Sequence, residues 1–300
     1  MSDDERLREL AQRCHLLLEI LHVVVYFAAE PREAFAAYGL HGRAGYFASR
    51  AAAMGAVEPE VVTATFGVFA PEFVREKMAG TWQTVSPEQI LAARHRAVAQ
   101  TLHRVLGEPD VGEQLESAAA ATTVLRPNGR PLYAAHARLP WPDDELMALW
   151  HAATLLREYR GDGHMAAMML SGIDPLAAMI LHGYATHTMG FLQQTRGWPP
   201  EQWQAARQQL HERGWLAQQD GSDVVTDAGR EVKRELERQT RAAAIEPWRH
   251  LGAERSARLA ELMLPIRDAL MASDVFPPGS PLKPRDVAQS ARRAGSAPAG

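Results

Sequence analysis

The stretch RGWLAQQDGSDVVTDAGR, from Arg213 to Arg230, constrains the fold of this chain more than any other. Gly214 is suited to end a helix, and Asp220-Gly221 is a tight turn between two short runs that favour strands. Thr226 is a good N-cap for the helical sequence that follows it. The order helix, hairpin, helix is typical of the wing of a winged helix-turn-helix, so the sequence predicts that unit here.

The remainder of the chain favours helices. Apolar residues make up 46% and charged residues 23% of the sequence, as in ordinary globular proteins, and Ala, Leu, Arg and Glu are abundant. A chain of 300 residues is long enough for two domains. We therefore expect a mainly α protein of two winged-helix-like helical halves, with a short β-hairpin wing in the second half.

The proline-rich segment Leu139-Pro140-Trp141-Pro142 is the predicted boundary between the halves. Residues 1–138 are predicted to form an N-terminal, degenerate winged-helix-like half, and residues 139–270 a C-terminal winged helix-turn-helix half. From 271 to 300 Pro, Gly, Ser, Arg and Ala dominate, which predicts a disordered tail. The main predicted helices cover residues 4–27, 31–38, 46–54, 59–66, 71–78, 87–106, 142–159, 165–170, 174–186, 190–194 and 200–213.

A weak internal repeat connects the two halves. Trp82 precedes a helix that starts Pro87-Glu88-Gln89 and continues to Ala92-Ala93-Arg94, and Trp198 precedes the similar Pro200-Glu201-Gln202 with Ala205-Ala206-Arg207. A tandem duplication would place two winged-helix-like units in one chain, as in a dimeric DNA-binding protein. Duplication and chance similarity both stay open.

Charge and cysteine content exclude several classes of function. The net charge of −4 gives no overall attraction to nucleic acid or to an anionic membrane. The single cysteine, Cys14, lies in an apolar helical pattern and excludes an intrachain disulfide or a thiolate metal cluster. The charged N-terminus lacks the apolar core of a signal peptide, and no apolar run reaches about 18 residues. We expect a cytoplasmic monomer or homodimer with no membrane partner and no cofactor.

Double-stranded DNA remains an open partner because of local residues. The predicted recognition helix 200–213 offers Gln202, Gln204 and Arg207 to base edges, and the corresponding helix of the first half offers Arg94 and Arg96. However, residues 200–241 contain seven Lys or Arg and eight Asp or Glu. A neutral surface is a poor start for contacting phosphates, so both helices could also serve only for packing.

The polar stretch LLREYRGDGHMAAM, residues 155–168, lies between two apolar helical segments. One interpretation is a solvated turn in which Gly161 ends one helix and Asp162 caps the next. The other is a built site, because the helix predicted to begin at His164 is apolar nearly all round and its charged neighbours need partners. His151 and Glu158 also share a helical face. We favour the site.

The site is predicted to bind a small polar or anionic molecule, since Arg157 and Arg160 suit an anion and would repel a metal cation. Glu158 and His164 are the candidates for acid–base catalysis, and no metal is expected. His22, Tyr26, Tyr46 and Arg50 in the first half are polar groups on apolar helices that could line the same cavity. The full set of predicted ligand-binding residues is His22, Tyr26, Tyr46, Arg50, His151, Arg157, Glu158, Arg160, Asp162, His164 and His182.

Several of these segments also resemble a known family. The segments that carry the resemblance are 21–27, 45–50, 62–66, 139–144 and 149–164, and they include the central motif Arg157-Glu158-Tyr159-Arg160-Gly161-Asp162-Gly163-His164. Together they are similar to an actinobacterial helix-turn-helix family, over residues 10 to 265. The family usually has His where this chain has Tyr159, which argues against an essential ligand there. The resemblance implies the helix-turn-helix fold and no particular reaction.

Two functional hypotheses follow. The first is a ligand-responsive transcriptional regulator whose ligand lies between the two halves and shifts their relative pose. The alternative is an enzyme or ligand-binding protein on a winged-helix scaffold that no longer binds DNA, with Glu158 or His164 as acid and base.

Overall fold

A computed structural model of the protein describes residues 2–277 and Leu282. This part of the chain is mainly helical, with one two-stranded antiparallel sheet, so the mainly α fold with a short β-hairpin is confirmed. The helices before residue 140 are α1 (Asp3–His22), α2 (Val24–Phe27), α3 (Ala29–Ala36), α4 (Arg43–Ala51), α5 (Pro59–Phe66), α6 (Pro71–Met78), α7 (Thr81–Thr84), α8 (Pro87–Leu106), α9 (Gly112–Thr122) and α10 (Pro131–Ala137), with a 3-10 turn at Ala52–Met54.

The second half begins with α11 (Glu145–Ser171) and contains the winged helix. Asp144 caps α11 by accepting a hydrogen bond from the Met147 backbone, 2.7 Å away. The later elements are α12 (Pro175–Ala185), α13 (Met189–Thr195), α14 (Pro200–Glu212), β1 (Leu216–Gln219), β2 (Ser222–Val225), α15 (Asp227–Ala243), α16 (Glu246–Leu251) and α17 (Ala253–Ala272).

The wing forms where the sequence predicts it. In β1 and β2, Leu216 pairs with Val225 and Gln219 with Ser222. The side chains of Leu216 and Val225 are buried. Asp220 and Gly221 both have positive φ, 51° and 76°, as a tight hairpin turn with right-handed strand twist requires. Thr226 accepts the Gly229 N–H at 3.1 Å and so starts α15.

The predicted first helix, 4–27, is broken at Val23 into α1 and α2. The inner face of α1 packs against α17, where Cys14 donates a hydrogen bond to the Ser256 carbonyl at 3.1 Å. By length and composition Asp3–Phe27 could cross a membrane, but half of its most apolar window is buried inside the protein. Core packing is therefore sufficient to account for its apolar character.

The predicted turn at Gly161 and Asp162 is wrong, because α11 runs without interruption through both residues. Gly163 explains the glycine-rich sequence in another way. A Cβ at Gly163 would lie 2.9 Å from Arg130 Nη1 and 3.1 Å from the Ala243 side chain. The missing side chain thus lets Arg130 and α15 approach the helix closely, and a helical glycine is used for packing.

The C-terminal core extends beyond the predicted start of the tail. α17 continues to Ala272, and Val275 and Phe276 are buried, with the Phe276 ring 5.9 Å from that of Phe27. Apolar contact therefore orders this segment against α2. The remainder of the predicted tail, apart from Leu282, lies outside the described residues.

Residues 2–138 are described as helices and turns without a strand, so this half has no counterpart of the β1–β2 wing. The repeated tryptophans do behave alike. Trp82 donates to the Val57 carbonyl at 2.8 Å and Trp198 to the Val68 carbonyl at 3.2 Å. The duplication stays a prediction.

Candidate functional site

A buried ion network joins α11 to α4 and α1. Glu158 is completely buried and receives two hydrogen bonds from Arg50, Nε to Oε1 at 3.1 Å and Nη2 to Oε2 at 2.7 Å. Arg157 donates to the same carboxylate at 2.7 Å and reaches Glu19 at 3.3 Å. This paired fork geometry is the strong form of an arginine–carboxylate interaction, so the central motif is a structural junction between helices.

The charges in this network determine what Glu158 can do. Burial alone would raise the pKa of Glu158, but the charges of Arg157 and Arg50 outweigh it and hold the pKa well below its ordinary value. The carboxylate therefore stays ionised and has its lone pairs occupied by arginines. Glu158 is suited to position Arg50 and Arg157 and is poorly suited to donate or take up protons near neutral pH.

A second polar chain runs beside it. His22 Nδ1 lies 3.0 Å from Thr154 Oγ1, and Nε2 lies 3.0 Å from the Tyr26 hydroxyl. Because Thr154 already donates to the Trp150 carbonyl at 2.9 Å, His22 Nδ1–H must donate to Thr154 and Nε2 must accept from Tyr26. Burial lowers the pKa of His22 well below its usual value, which keeps the imidazole neutral, and raises the pKa of Tyr26 to about 12.

Tyr46 connects the two chains. Its hydroxyl accepts from Arg50 Nη1 at 3.2 Å, and its ring centroid lies 4.9 Å from that of Tyr26. Burial would raise the pKa of Tyr46, but four surrounding arginine charges, first of all those of Arg50 and Arg157, lower it below its ordinary value. The predicted residues His22, Tyr26, Tyr46, Arg50 and Arg157 are thus brought together, as the sequence analysis expects.

Of these groups, Tyr26, Tyr46 and Arg157 form one wall of a cleft of about 460 Å³, which His22 and Arg50 do not line. The volume lies within the range typical of small-molecule sites. The opposite wall comes from the helix-turn-helix, through Phe191 of α13 and Arg196 directly after it. The residues that line the cleft are Glu19, Val23, Val25, Tyr26, Phe27, Ala28, Arg32, Phe35, Leu40, Gly42, Arg43, Gly45, Tyr46, Arg157, Phe191, Arg196 and Leu282.

Arg43 and Arg196 are the functional candidates that sequence reasoning missed. Among the described residues neither guanidinium has a carboxylate within 4.0 Å, whereas Arg50 and Arg157 are both paired. Desolvation lowers the pKa of Arg43 and lowers that of Arg196 to about 10. A usable signal was present in the sequence, because no acidic residue occurs between Glu33 and Glu58 around Arg43.

The later residues of the central motif point to other partners. Arg160 pairs with Glu237 of α15 at 2.7 Å, and His164 Nδ1 lies 2.9 Å from Thr240 Oγ1 on the same helix. Asp162 accepts the Tyr133 N–H at 2.9 Å, near the start of α10, and burial raises its pKa to about 6. The prediction that these three line a pocket with Glu158 is wrong: Arg160, Asp162 and His164 dock α15 and α10 onto α11, and none of them lines the cleft.

The two remaining predicted ligands also lie elsewhere. His151 is buried beside Trp141, with ring centroids 5.0 Å apart, and burial lowers its pKa to about 4. His182 is exposed on α12. The shared helical face of His151 and Glu158 is real, but seven residues of helix span about 10 Å, which separates the two side chains along the axis. Among the described residues no group of three His, Cys, Asp or Glu is arranged to hold a metal.

The predicted DNA-reading residues fall into two groups. Gln202 and Gln204 are exposed on α14, on either side of its buried residue Trp203. Arg207 is partly exposed and is paired with Asp223 of the wing, Nε to Oδ2 at 2.7 Å. The same carboxylate also lies 2.9 Å from His211 Nε2. The wing therefore neutralises the basic side chains of the recognition helix, α14.

In the first half, the prediction for Arg94 is wrong. Arg94 is only 3% exposed and its guanidinium lies 4.9 Å from the centre of the Trp150 ring, inside the core. Its position on the helix places it on the inner face of α8, so it cannot contact DNA without unfolding. Arg96 is exposed on the outer face of the same helix, and its role in DNA binding stays a prediction.

The fold and the site together define a class of protein: a helical, winged helix-turn-helix protein with a basic cleft between its winged helix and its N-terminal helices. Residues 11–277 match a helix-turn-helix family, and the chain belongs to that family. Comparison with curated proteins and with solved structures gives no significant match.

Proposed function

We propose that this protein is a ligand-responsive transcriptional regulator, in which a small anionic molecule bound in the cleft controls how the winged helix meets double-stranded DNA. The observation that carries the proposal is the composition of the cleft walls. Tyr46 and Arg157 come from the N-terminal helices and from α11, whereas Phe191 and Arg196 belong to the helix-turn-helix. A ligand held by both walls binds best in one relative pose of the two, so its binding shifts the populations of those poses.

The contacts around the cleft favour transmission to the DNA-reading unit. The Ala70 N–H donates to the Arg196 carbonyl at 3.0 Å, next to the Trp198 contact with Val68. Pro200 begins the recognition helix only four residues after Arg196. A movement of the Arg196 backbone therefore passes directly into α14. We expect the protein to act in the cytoplasm, as a monomer or a homodimer.

A second candidate function is a ligand-binding protein that keeps the scaffold without binding DNA. The charge balance of residues 200–241 and the pairing of Arg207 with Asp223 favour it, because phosphate contacts supply much of the affinity for DNA. An enzyme using Glu158 and His164 together is less favoured, since the two side chains contact different helices.

The test selects bound fragments from a pool of random-sequence duplexes and measures their affinity by fluorescence anisotropy at two salt concentrations. The regulator predicts an affinity that falls steeply with salt and that Gln202→Ala with Gln204→Ala weakens for the selected sequence. Gln100→Ala, an exposed glutamine on α8, is the matched control, and Arg96→Gln tests the first-half helix. A protein that retains no DNA even at low salt is not a regulator, and the second candidate then stands.

A further inference from the structure

We propose that the ligand of the cleft is a planar aromatic organic anion, held by Arg43 and Arg196 through its charged group and by aromatic side chains through its ring. This inference rests on the proposed function for the location of the site and adds the chemical class of the ligand. It concerns binding alone, so it can be tested without DNA.

The cleft carries an excess of positive charge. The cleft is lined by Arg32, Arg43, Arg157 and Arg196 and by one acidic residue, Glu19. Behind the wall, Arg50 and Glu158 add one charge of each sign. Four positive charges against one negative leave an excess of three, in a site where water is partly excluded. Such an excess is costly unless an anion enters.

The guanidinium groups of Arg43 and Arg196 are held over aromatic rings. Arg43 lies over the rings of Tyr46 and Phe69, at 5.3 and 5.8 Å from their centres. Arg196 lies 4.7 Å from the centre of the same Phe69 ring and 5.7 Å from that of Phe191. Stacking on aromatic faces fixes a guanidinium plane and leaves its N–H edge free for a planar anion.

The surroundings of Arg196 also favour a bound anion. Its Nη1 donates to Thr195 at 3.1 Å, but the buried Nε has no hydrogen-bond partner among the described residues. Arg43 is close enough for its charge to lower the pKa of Arg196 further. A bound anion would offset the repulsion between the two cations.

The lining of the cleft indicates the body of the ligand. The cleft is lined by five aromatic residues, Tyr26, Phe27, Phe35, Tyr46 and Phe191, together with aliphatic groups. A small inorganic anion would leave these walls in water, whereas a ring buries them and stacks on them. The site thus fits an anionic group at one end of a flat apolar molecule.

The experiment is isothermal titration of the full chain with four probes: 2-naphthoate, 2-naphthyl phosphate, neutral 2-naphthamide and inorganic phosphate. The proposal predicts that at least one of the two aromatic anions binds, at least about tenfold more tightly than the amide and than inorganic phosphate, as the loss of a charge-assisted contact or of ring burial implies. The two anions distinguish carboxylate from phosphate ligands. Equal affinity for the amide, binding of inorganic phosphate as tight as that of the naphthyl compounds, or no binding of any probe would overturn it.

Variants locate the bound probe. Arg43→Gln and Arg196→Gln are each expected to weaken the binding of the aromatic anion about tenfold or more. Arg196→Lys should weaken it less, since lysine keeps the charge but lacks the two parallel N–H donors of a guanidinium. The matched control is Arg249→Gln, at an arginine that is paired with Glu246. Both cleft variants lose an unpaired cation and are expected to fold, which circular dichroism checks. If only Arg249→Gln weakens binding, the assignment is wrong.

The outcome is separable from that of the proposed function. Tight binding of a naphthyl anion by a protein that retains no DNA would refute the regulator and leave the ligand class standing. DNA binding without affinity for either aromatic anion would refute the ligand class and leave the DNA-binding function standing.

Discussion

Two hollows in this protein are lined by arginines, and they differ in whether those arginines are paired with carboxylates. The smaller, about 100 Å³, is lined by Arg8, Arg160, Arg241 and Arg249 between α1, α11, α15 and α16. Each of these arginines is paired with a carboxylate. Arg8 lies 2.8 Å from Asp4, and Arg249 lies 3.2 Å from Glu246. Arg160 and Arg241 share Glu237, at 2.7 and 2.9 Å. In the larger cleft, Arg43 and Arg196 have no carboxylate partner among the described residues.

The comparison shows that the number of arginines does not identify an anion site. In the small hollow every arginine is paired with a carboxylate, and the Arg160–Glu237 pair joins α11 to α15. In the large cleft Arg43 and Arg196 are unpaired within the described part of the chain, desolvated and placed over aromatic rings, beside a volume that suits a small molecule. Unpaired charge that faces a cleft is therefore the more specific sign of function, since Arg94 is also buried without a carboxylate among the described residues but lies in the core.

The largest expected effect comes from removing a carboxylate that compensates arginines. Glu158→Gln leaves Arg50 and Arg157 buried without their shared anion, so the free energy of unfolding should fall by about 3–5 kcal/mol. Urea denaturation followed by circular dichroism measures it. An unfolding free energy within about 1 kcal/mol of the wild-type value would mean that the arginines find other partners.

The wing offers a weaker version of the same test. Asp223 is buried and binds Arg207, His211 and the Tyr184 hydroxyl, the last at 2.9 Å. Asp223→Asn should cost about 1–3 kcal/mol of stability, because three donors lose a buried, charged acceptor. It also frees Arg207, so non-specific affinity for DNA should rise in an anisotropy titration. Unchanged DNA affinity would place Arg207 outside the DNA-binding surface.

The third prediction concerns pH. Arg196, with its pKa lowered to about 10, loses charge as the pH rises through that value, and Tyr46, whose pKa is lowered below its ordinary value by the nearby arginines, becomes negative at a lower pH than a free tyrosine. Both changes weaken the binding of an anion. The affinity for an aromatic anion should therefore fall as the pH rises through about 10, and Tyr46→Phe should make the fall smaller. An affinity that stays constant through this pH range would contradict the role of both residues.

The smallest effect is expected at an exposed pair. Arg234 lies 2.5 Å from Glu231 on α15, with both side chains mostly in solvent. Arg234→Gln should change the free energy of unfolding by less than about 1 kcal/mol, because water screens the pair. A loss as large as that of Glu158→Gln would mean that burial does not set the difference between these pairs.

The winged helix was predictable because its signals are local. The Asp220-Gly221 turn, the Thr226 cap and the apolar residues of the two strands each determine backbone conformation within a few residues. The continuity of α11 was not predictable in this way. Gly161 and Gly163 suggest a turn when taken alone. Only the approach of Arg130 and Ala243, which are 33 and 80 residues away from Gly163 in the sequence, shows why a helix keeps a glycine there.

The candidate site was predictable in part because some of its signals are also local. Tyr26, Tyr46, Arg50 and Arg157 are polar groups on apolar helices, and each needs a buried partner wherever the helix packs. Which of them share a cleft depends on tertiary placement. Arg196 joins them because its carbonyl accepts the Ala70 N–H and its guanidinium lies over the Phe69 ring, contacts that no periodicity in either segment specifies.

The most direct test of the central claim is a crystal structure of the full chain soaked with 6-bromo-2-naphthoate, with anomalous diffraction data at the bromine edge. The account predicts a bromine peak inside the large cleft, with the carboxylate in contact with Arg43 or Arg196 and the ring against Tyr46 or Phe191. A peak confined to the small hollow at Arg8 and Arg249, or no peak in either, would contradict the claim that unpaired arginines mark the ligand site.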